Sequence, residues 1–221
     1  MVPPLHAPRM SAHTRVHDAR RARGRARRDP EEPVSAAVFL DRDGTLIEEV
    51  GYLDRAERIA LYPYAADAIR ALNRAGIRVV MVTNQSGIAR GFFTEAVVDE
   101  CHRHIASLLA RAGAHLDAYY YCPHHPDGRV PEYAVRCECR KPGTALVERA
   151  VRELGVDPAR SFAVGDRWVD IGLARAMGGR GVLVRTGYGA SEEHKTPRDL
   201  EADAVVDNLA GAASWVLVNS R

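Results

Sequence analysis

The chain predicts an α/β fold in which a parallel sheet is covered by helices on both faces. Two observations carry this. Short, continuously apolar runs alternate with stretches that carry an apolar stripe at helical spacing, and polar residues gather where the runs end. A run that is apolar at every position, rather than at every second one, reads as a strand buried on both faces. Right-handed crossovers between such strands put helices on both sides of the sheet.

Ala36–Leu40 is the first such run and ends at Asp41-Arg42-Asp43-Gly44. Tyr64–Ala75 follows as a helix with Ala65, Ala68, Ile69 and Leu72 on one face and Gly76 as its stop. Ile77–Val82 is the second strand and leads into Thr83-Asn84-Gln85-Ser86-Gly87. Thr94 is placed to cap a helix whose inward stripe is Val97, Cys101, Ile105 and Leu108. Leu116–Tyr121 is a third strand, and Pro142-Gly143 opens a helix facing inward through Leu146, Ala150 and Leu154 and ended by Gly155. Ser161–Val164, Gly181–Val184 and Ala204–Val206 complete the strands.

With 221 residues, 46% hydrophobic and 27% charged, the chain has the size and balance of one globular domain. No stretch approaches the roughly 18 apolar residues of a membrane span, and the first thirty residues hold no continuous apolar segment of a secretory signal. A cytoplasmic protein, acting as a monomer and away from membranes, is the expectation. The net charge of +2 is uneven: residues 1–33 carry eight Arg against four acidic residues, which leaves residues 34–221 net acidic. The Arg-rich segment has prolines, no periodic apolar stripe and no Phe, Trp or Tyr, so it is expected to be a disordered extension preceding a domain at 34–221. A nucleic-acid-binding role for this tail is disfavoured because it lacks stacking aromatics and the body is acidic.

In an open α/β sheet, ligands bind beyond the carboxyl ends of the strands. There the chain places Asp41 and Asp43, then Thr83 and Asn84, then Asp166 and Asp170, with Lys141 just before a helix. Two carboxylates two residues apart offer a nucleophile and an acid/base and sit close enough to hold Mg²⁺. A hydroxyl, an amide and a cation suit phosphate oxygens. The set fits phosphoryl transfer, in which positioning and charge neutralisation supply most of the catalysis.

A second donor set lies in Cys122-Pro123-His124 and, twelve residues on, Cys137-Glu138-Cys139. Three thiolates and one imidazole make a closed tetrahedral zinc set, structural because it leaves no position for water. Disulfides would leave one of these three cysteines over, and Cys101 falls on an apolar helical stripe as a core filler. His125 reads as a neighbour facing solvent or supporting a ligand.

The ordered residues Asp41-Arg42-Asp43-Gly44-Thr45, Thr83-Asn84, Lys141-Pro142 and Gly165-Asp166 with Asp170 resemble the four motifs of the haloacid dehalogenase-like phosphatase superfamily, over about residues 36–190. The resemblance implies a Rossmann-like sheet, with Asp41 as the nucleophile that becomes an aspartyl-phosphate and Asp43 as the acid and then the base. It implies Mg²⁺ on Asp41, the Asp43 main-chain carbonyl and Asp166, with Thr83 and Lys141 on the transferring phosphoryl group. Asp170 is implied to orient the metal shell or Lys141, and Arg42 is given no role. Tyr121-Cys122-Pro123-His124-His125-Pro126, Cys137-Glu138-Cys139-Arg140-Lys141-Pro142 and Thr83–Gly91 narrow the likeness further. They are similar to the D-glycero-D-manno-heptose 1,7-bisphosphate phosphatases and the related histidinol-phosphate phosphatases. That likeness implies a small phosphorylated sugar as substrate, met by Glu49, Val50, Gly51 and Tyr52, by Thr83, Asn84, Gln85 and Ser86, and by Arg140 and Lys141. Arg167 departs from the Lys expected there; it keeps the charge and replaces a point ammonium with a planar fork. Only 39 residues separate Asp43 from Thr83 and 56 separate Asn84 from Lys141, so no large cap domain fits in either gap. An open cleft is expected, rimmed by the zinc loop and residues 45–55.

Overall fold

The structure is a computed structural model that describes residues 35–195 and 197–220; the Arg-rich N-terminal segment lies outside the described residues. Six strands form one parallel sheet: β1 (Ala37–Leu40), β2 (Arg78–Asn84), β3 (Ala118–Cys122), β4 (Phe162–Gly165), β5 (Arg180–Val184) and β6 (Ala204–Val206). Their order is β3-β2-β1-β4-β5-β6, every neighbour parallel. The order reverses between β1 and β4, and a crevice opens beyond the strand ends at such a switch point.

The helices are α1 (Ala65–Arg74), α2 (Ser86–Ala89), α3 (Glu95–Arg111), α4 (Ala145–Leu154), α5 (Trp168–Ala176), α6 (Gly189–Glu193) and α7 (Leu209–Asn219). Side chains alternate through the sheet. Val38 and Leu40 of β1 pack with α1, α3 and α7 on one face, and Ala37 and Phe39 pack with α4 and α5 on the other. Burial on both sides explains why these strands read as continuous apolar runs. No helix among the described residues is long and apolar enough to cross a membrane.

The main differences from the expected elements have physical causes. The buried stripe of α3 is Val98, Cys101, His102, Ile105 and Leu109, turned from the expected one so that Val97 and Leu108 sit at its margin. The turn admits His102 to the core. Thr94 precedes α3 without a side-chain cap; its carbonyl accepts from Val97 and Val98 instead. Helices α5 and α7 were hidden because small residues, Gly172 and Ala174 in one and Ala210 to Ala213 in the other, blur the contrast between faces. Helix α4 begins at Ala145 rather than straight after Lys141, so Pro142, Gly143 and Thr144 intervene.

After β1 the chain makes a tight loop in which the Gly44 amide donates to the Ile47 carbonyl and Leu46 and Ile47 donate to Arg42. Gly44 has φ +75, and a Cβ there would stand 2.2 Å from Asp166 Oδ2 and 3.0 Å from Gly187 Cα. The residue is therefore required twice, for its backbone and for the approach of the β4 end. We expect Gly44→Ala to lower stability by about 1–3 kcal/mol, the scale of a non-glycine residue forced into the left-handed region. Urea unfolding with an unchanged slope is the measurement; an unaltered midpoint would contradict the packing described.

Candidate active site

The loop ends of β1, β2 and β4 converge on one ammonium. Lys141 is 4% exposed, and its Nζ donates to Asp41 Oδ1 at 2.7 Å, Asp170 Oδ1 at 2.6 Å and the Val82 carbonyl at 2.9 Å. Three donors meet three acceptors, so no proton of the ammonium is wasted. Burial alone would push the Lys141 amine toward neutrality, but the Asp170 and Asp41 carboxylates outweigh it and hold the ammonium charged. Asn84, the last residue of β2, fixes the Lys141 main chain at two points: its amide donates to the Lys141 carbonyl at 3.2 Å and its oxygen accepts from the Lys141 N–H at 3.0 Å.

Around that ammonium stand three buried carboxylates, Asp41, Asp166 and Asp170, whose oxygens lie within 4.8 Å of one another. Three negative charges against one positive charge, out of water, is an arrangement that asks for a cation. Asp166 shows it most plainly. Its Oδ2 accepts from the Tyr188 N–H at 2.8 Å, while its buried Oδ1 has no partner. Burial and the nearby Asp41 raise its pKa to about 8. Asp170 is raised to about 6, by burial first, with Lys141 opposing. Its Oδ2 also accepts from the Arg167 N–H, which fixes the start of α5. A hard divalent cation that takes carboxylate oxygens fits this donor set.

Asp43 stands at the mouth of the cleft, its side chain 17% exposed, beyond the carboxylate cluster. Thr83 ends inward, its Oγ1 accepting from Gln85 Nε2 at 2.8 Å. Gln85 is buried, and its amide is committed: Nε2 donates also to Asp43 Oδ2 at 3.0 Å, and Oε1 accepts from Arg42 at 2.9 Å. It enters the site as a brace between catalytic candidates. Ser86 opens α2 beside it.

Rim residues are tied by their own contacts. The Arg58 guanidinium donates to the Val50 and Tyr52 carbonyls, and Glu49 accepts from the Gly51 N–H. Burial and Asp43 raise the Glu49 pKa. Tyr52 is exposed and meets Phe92 edge to face at 4.5 Å between ring centres. Arg140 is half-buried and donates to the His124 carbonyl at 3.3 Å, and the exposed Arg167 lies 3.9 Å above the Tyr188 ring.

Next to Arg140 the second donor set closes up. Cys122 Sγ lies 3.5 Å from Cys137 Sγ and 3.8 Å from His124 Nδ1; Cys139 Sγ lies 3.2 Å from Cys137 and 3.3 Å from His124 Nδ1. A tetrahedron with metal–sulfur bonds of about 2.3 Å has edges of roughly 3.8 Å, so the four atoms already stand near the separations zinc requires. All four cysteines are free thiols. Hydrogen bonds from Cys122 lower the Cys139 pKa to about 5, while the Cys122 thiol is pushed up by its bond to Cys139 and by burial. Three cysteines and one histidine gathered this closely are the ligand types of a metal-binding set. His125 is half-buried beside it, within 3.4 Å of Arg90.

The arrangement is a buried carboxylate, a second carboxylate two residues on, a fixed ammonium and a set of carboxylates suited to a divalent cation, gathered beyond the carboxyl ends of the strands. The chain is 42% identical over 172 residues to the D-glycero-beta-D-manno-heptose-1,7-bisphosphate 7-phosphatase of Yersinia pestis, covering 77% of this chain and 92% of that protein. It belongs to this phosphatase family of HAD-like hydrolases. A D-glycero-D-manno-heptose-1,7-bisphosphate 7-phosphatase of Thermosynechococcus vestitus is also 42% identical, over 189 residues, covering 81% of this chain and 94% of that one. The HAD-hydrolase-like family model matches residues 138–212. Among solved structures, the D,D-heptose 1,7-bisphosphate phosphatase of B. bronchiseptica, complexed with magnesium and phosphate, superposes with a TM-score of 0.72 at 32% identity, covering 83% of this chain and 98% of that one. Among the described residues the sheet carries no cap domain, and the chain is a phosphatase.

Two residues of the site had no role in the sequence reading: Arg42, between the two aspartates, and His102, on the far side of the cleft floor. A charged residue lodged between two acids directly after a buried strand was the available signal for the first. The second was masked by the one-step error in the α3 stripe.

Because the folded pKa of Asp166 lies above its unfolded value, its contribution to stability is full below about pH 4 and is lost as pH rises through about 8. Protein dialysed free of Mg²⁺ is therefore expected to melt at lower temperature at pH 8.5 than at pH 5.5. Asp166→Asn should flatten that dependence, raise the metal-free melting point by roughly a few degrees, and abolish the upward shift that Mg²⁺ gives the wild type. A variant that still gains stability from Mg²⁺ would remove Asp166 from the cation site.

Proposed function

We propose that this chain removes the 7-phosphate of D-glycero-D-manno-heptose 1,7-bisphosphate through an aspartyl-phosphate on Asp41, with Mg²⁺ at the carboxylate cluster. The observation that carries the reading is the 42% identity to the Yersinia enzyme over 92% of its length, together with a site in which Asp41, Lys141 and Asp170 touch. An Asp41 oxygen attacks phosphorus in line as the bond to the sugar oxygen breaks, and Asp43 hands its proton to that departing oxygen. In the second step Asp43, now a carboxylate, takes a proton from water as the water oxygen attacks the same phosphorus. The Asp41 carboxylate is regenerated and inorganic phosphate leaves.

Asp41, Asp166 and the main-chain carbonyl of Asp43 would hold Mg²⁺, which when bound neutralises charge on the phosphoryl oxygens. Lys141 and Thr83 hold the phosphoryl group as it transfers. Asn84 and Asp170 keep Lys141 aimed. Cys122, His124, Cys137 and Cys139 hold a structural Zn²⁺ that fixes the loop running into Arg140 and Lys141. Four reduced thiols suit the cytoplasm. Every residue named comes from one chain, so a monomer is competent.

Glu49, Val50, Gly51 and Tyr52 line the sugar on one rim, with Ser86 beyond Thr83, and Arg140 faces it from the other. Lys141 meets the phosphate being cleaved, and Arg140, one residue back, reaches the retained 1-phosphate.

Phosphate release measured across both heptose bisphosphate anomers, histidinol phosphate and simple sugar phosphates should give the highest kcat/KM with a heptose bisphosphate. Preference for histidinol phosphate would overturn the substrate assignment. Asp41→Asn should show no measurable turnover while remaining folded by circular dichroism; a mass-verified variant with normal rates would end the role of Asp41 as nucleophile.

Arg140→Ala should lower kcat/KM for the bisphosphate by about 1.5–3 kcal/mol, the scale of a charge-assisted hydrogen bond, and leave a small aryl phosphate nearly untouched. Equal losses on the two would place Arg140 in the chemistry itself.

A further inference from the structure

Arg42 is the largest fully buried side chain of the described residues, 1% exposed, although it lies between the two aspartates of the cleft. Its guanidinium spans three partners. Nε and Nη2 donate to Asp43 Oδ1 at 3.1 and 2.9 Å, and Nη2 also donates to Asp43 Oδ2 at 2.8 Å. Nη2 reaches Gln85 Oε1 at 2.9 Å, and Nη1 meets His102 Nε2 at 3.3 Å. A guanidinium only donates, so His102 Nε2 is the acceptor and the ring proton sits on Nδ1. That ring is fully buried, edge-on to Tyr119 and Tyr121, and its Nδ1 has no hydrogen-bond partner. Burial and the Arg42 charge keep it neutral. A core position of α3 that served packing alone would carry an apolar residue, because a buried N–H without a partner is unfavourable.

With Gln85 Nε2 added, both oxygens of Asp43 accept from protein donors and neither is free to carry a proton toward a ligand. An O–H on either oxygen would face a guanidinium or an amide N–H, which accept nothing. Asp43 must therefore turn out of this fork to donate its proton. We propose that Arg42, anchored from the core by Gln85 and the neutral His102, is a positioning residue that sets the place from which the Asp43 side chain turns to the leaving oxygen. This rests on Asp43 being the acid and base of the proposed reaction. His102 acts at one remove, as the acceptor that keeps the Arg42 fork facing Asp43.

The test compares single-turnover release of the leaving group from a sugar phosphate, which needs its oxygen protonated, and from p-nitrophenyl phosphate, which does not. Arg42→Lys keeps the charge and loses the fork; His102→Leu removes the acceptor; His102→Gln supplies a carbonyl acceptor in its place. Arg42→Lys and His102→Leu should each slow release from the sugar phosphate about tenfold, a fraction of what a well-placed acid contributes. Release from the aryl phosphate should change less than twofold, KM should hold, and His102→Gln should recover most of the loss. Folded protein is verified by melting and by zinc content, and if Arg42→Lys does not fold, the two His102 variants decide. Asp43→Asn is the control. Should it slow both leaving groups equally, the acid role of Asp43 is wrong. Should it discriminate between them while the Arg42 and His102 variants slow both equally or neither, the positioning role alone is overturned.

Discussion

Three carboxylates held out of water around a single ammonium set the terms for the rest of this molecule. Such a cluster repels itself, and each member left unpaired would be driven to protonate. Lys141 neutralises part of it by donating to Asp41 and Asp170 at once. Asp166, which Lys141 does not reach, carries the strain as a pKa raised to about 8 and an oxygen with no partner. The excess negative charge is the driving force for taking up a divalent cation, and it is bound into the fold. Gly44 and Gly187 pack so closely on Asp166 that a Cβ at either would stand 2.2 Å from its Oδ2.

The position of Lys141 then becomes the quantity to be controlled, and several parts of the chain do so. Asn84 grips its main chain from the end of β2, the Val82 carbonyl takes its third proton, and the thiolate loop leads straight into it through Cys139 and Arg140. The loop between Cys122 and Ala145 has no helix or strand of its own and is held by scattered turns and by the Arg129 and Val130 amides donating to the Ala89 carbonyl. A metal held by Cys122, His124, Cys137 and Cys139 would add rigidity beside Arg140 and Lys141. The same logic explains why Tyr121 and Tyr133 both donate to Glu95, which ties that loop to α3.

Much of this could be read in the chain because its strands are buried on both faces. The apolar runs read at Ala36–Leu40 and Ile77–Val82 announce such strands, and the polar residue that ends each run is by that fact at the cleft. The thiolate set was legible for another reason: ligand type and close spacing are local. Less legible were features that depend on which way a helix is rotated. In α3, Val97 and Val98 compete for one core position, and only packing chooses Val98, which carries His102 inward with it. Helices α5 and α7 escaped because their small residues pack against the sheet through backbone proximity, without a contrasting polar face. Gln85 read as a contact to substrate because it follows Thr83 and Asn84; the chain bends at Ser86, and its amide turns back under Asp43.

Arg42 shows how one buried charge joins these levels. A guanidinium in a core is tolerated only when its donors are met, and here they are met by Asp43, Gln85 and His102. Each partner lies on a different element: the loop after β1, the end of β2 and the middle of α3. The two catalytic candidates on either side of Arg42 are thus held by opposite means. Asp41 is fixed from the cleft by the Lys141 ammonium, and Asp43 is fixed from the core by a guanidinium only 1% exposed. A nucleophile must stay where it is, and an acid that becomes a base must move and return. The Lys141 ammonium and the Arg42 guanidinium each fix one aspartate, the first from the cleft and the second from the core, and the contrast follows from where the two cations are buried.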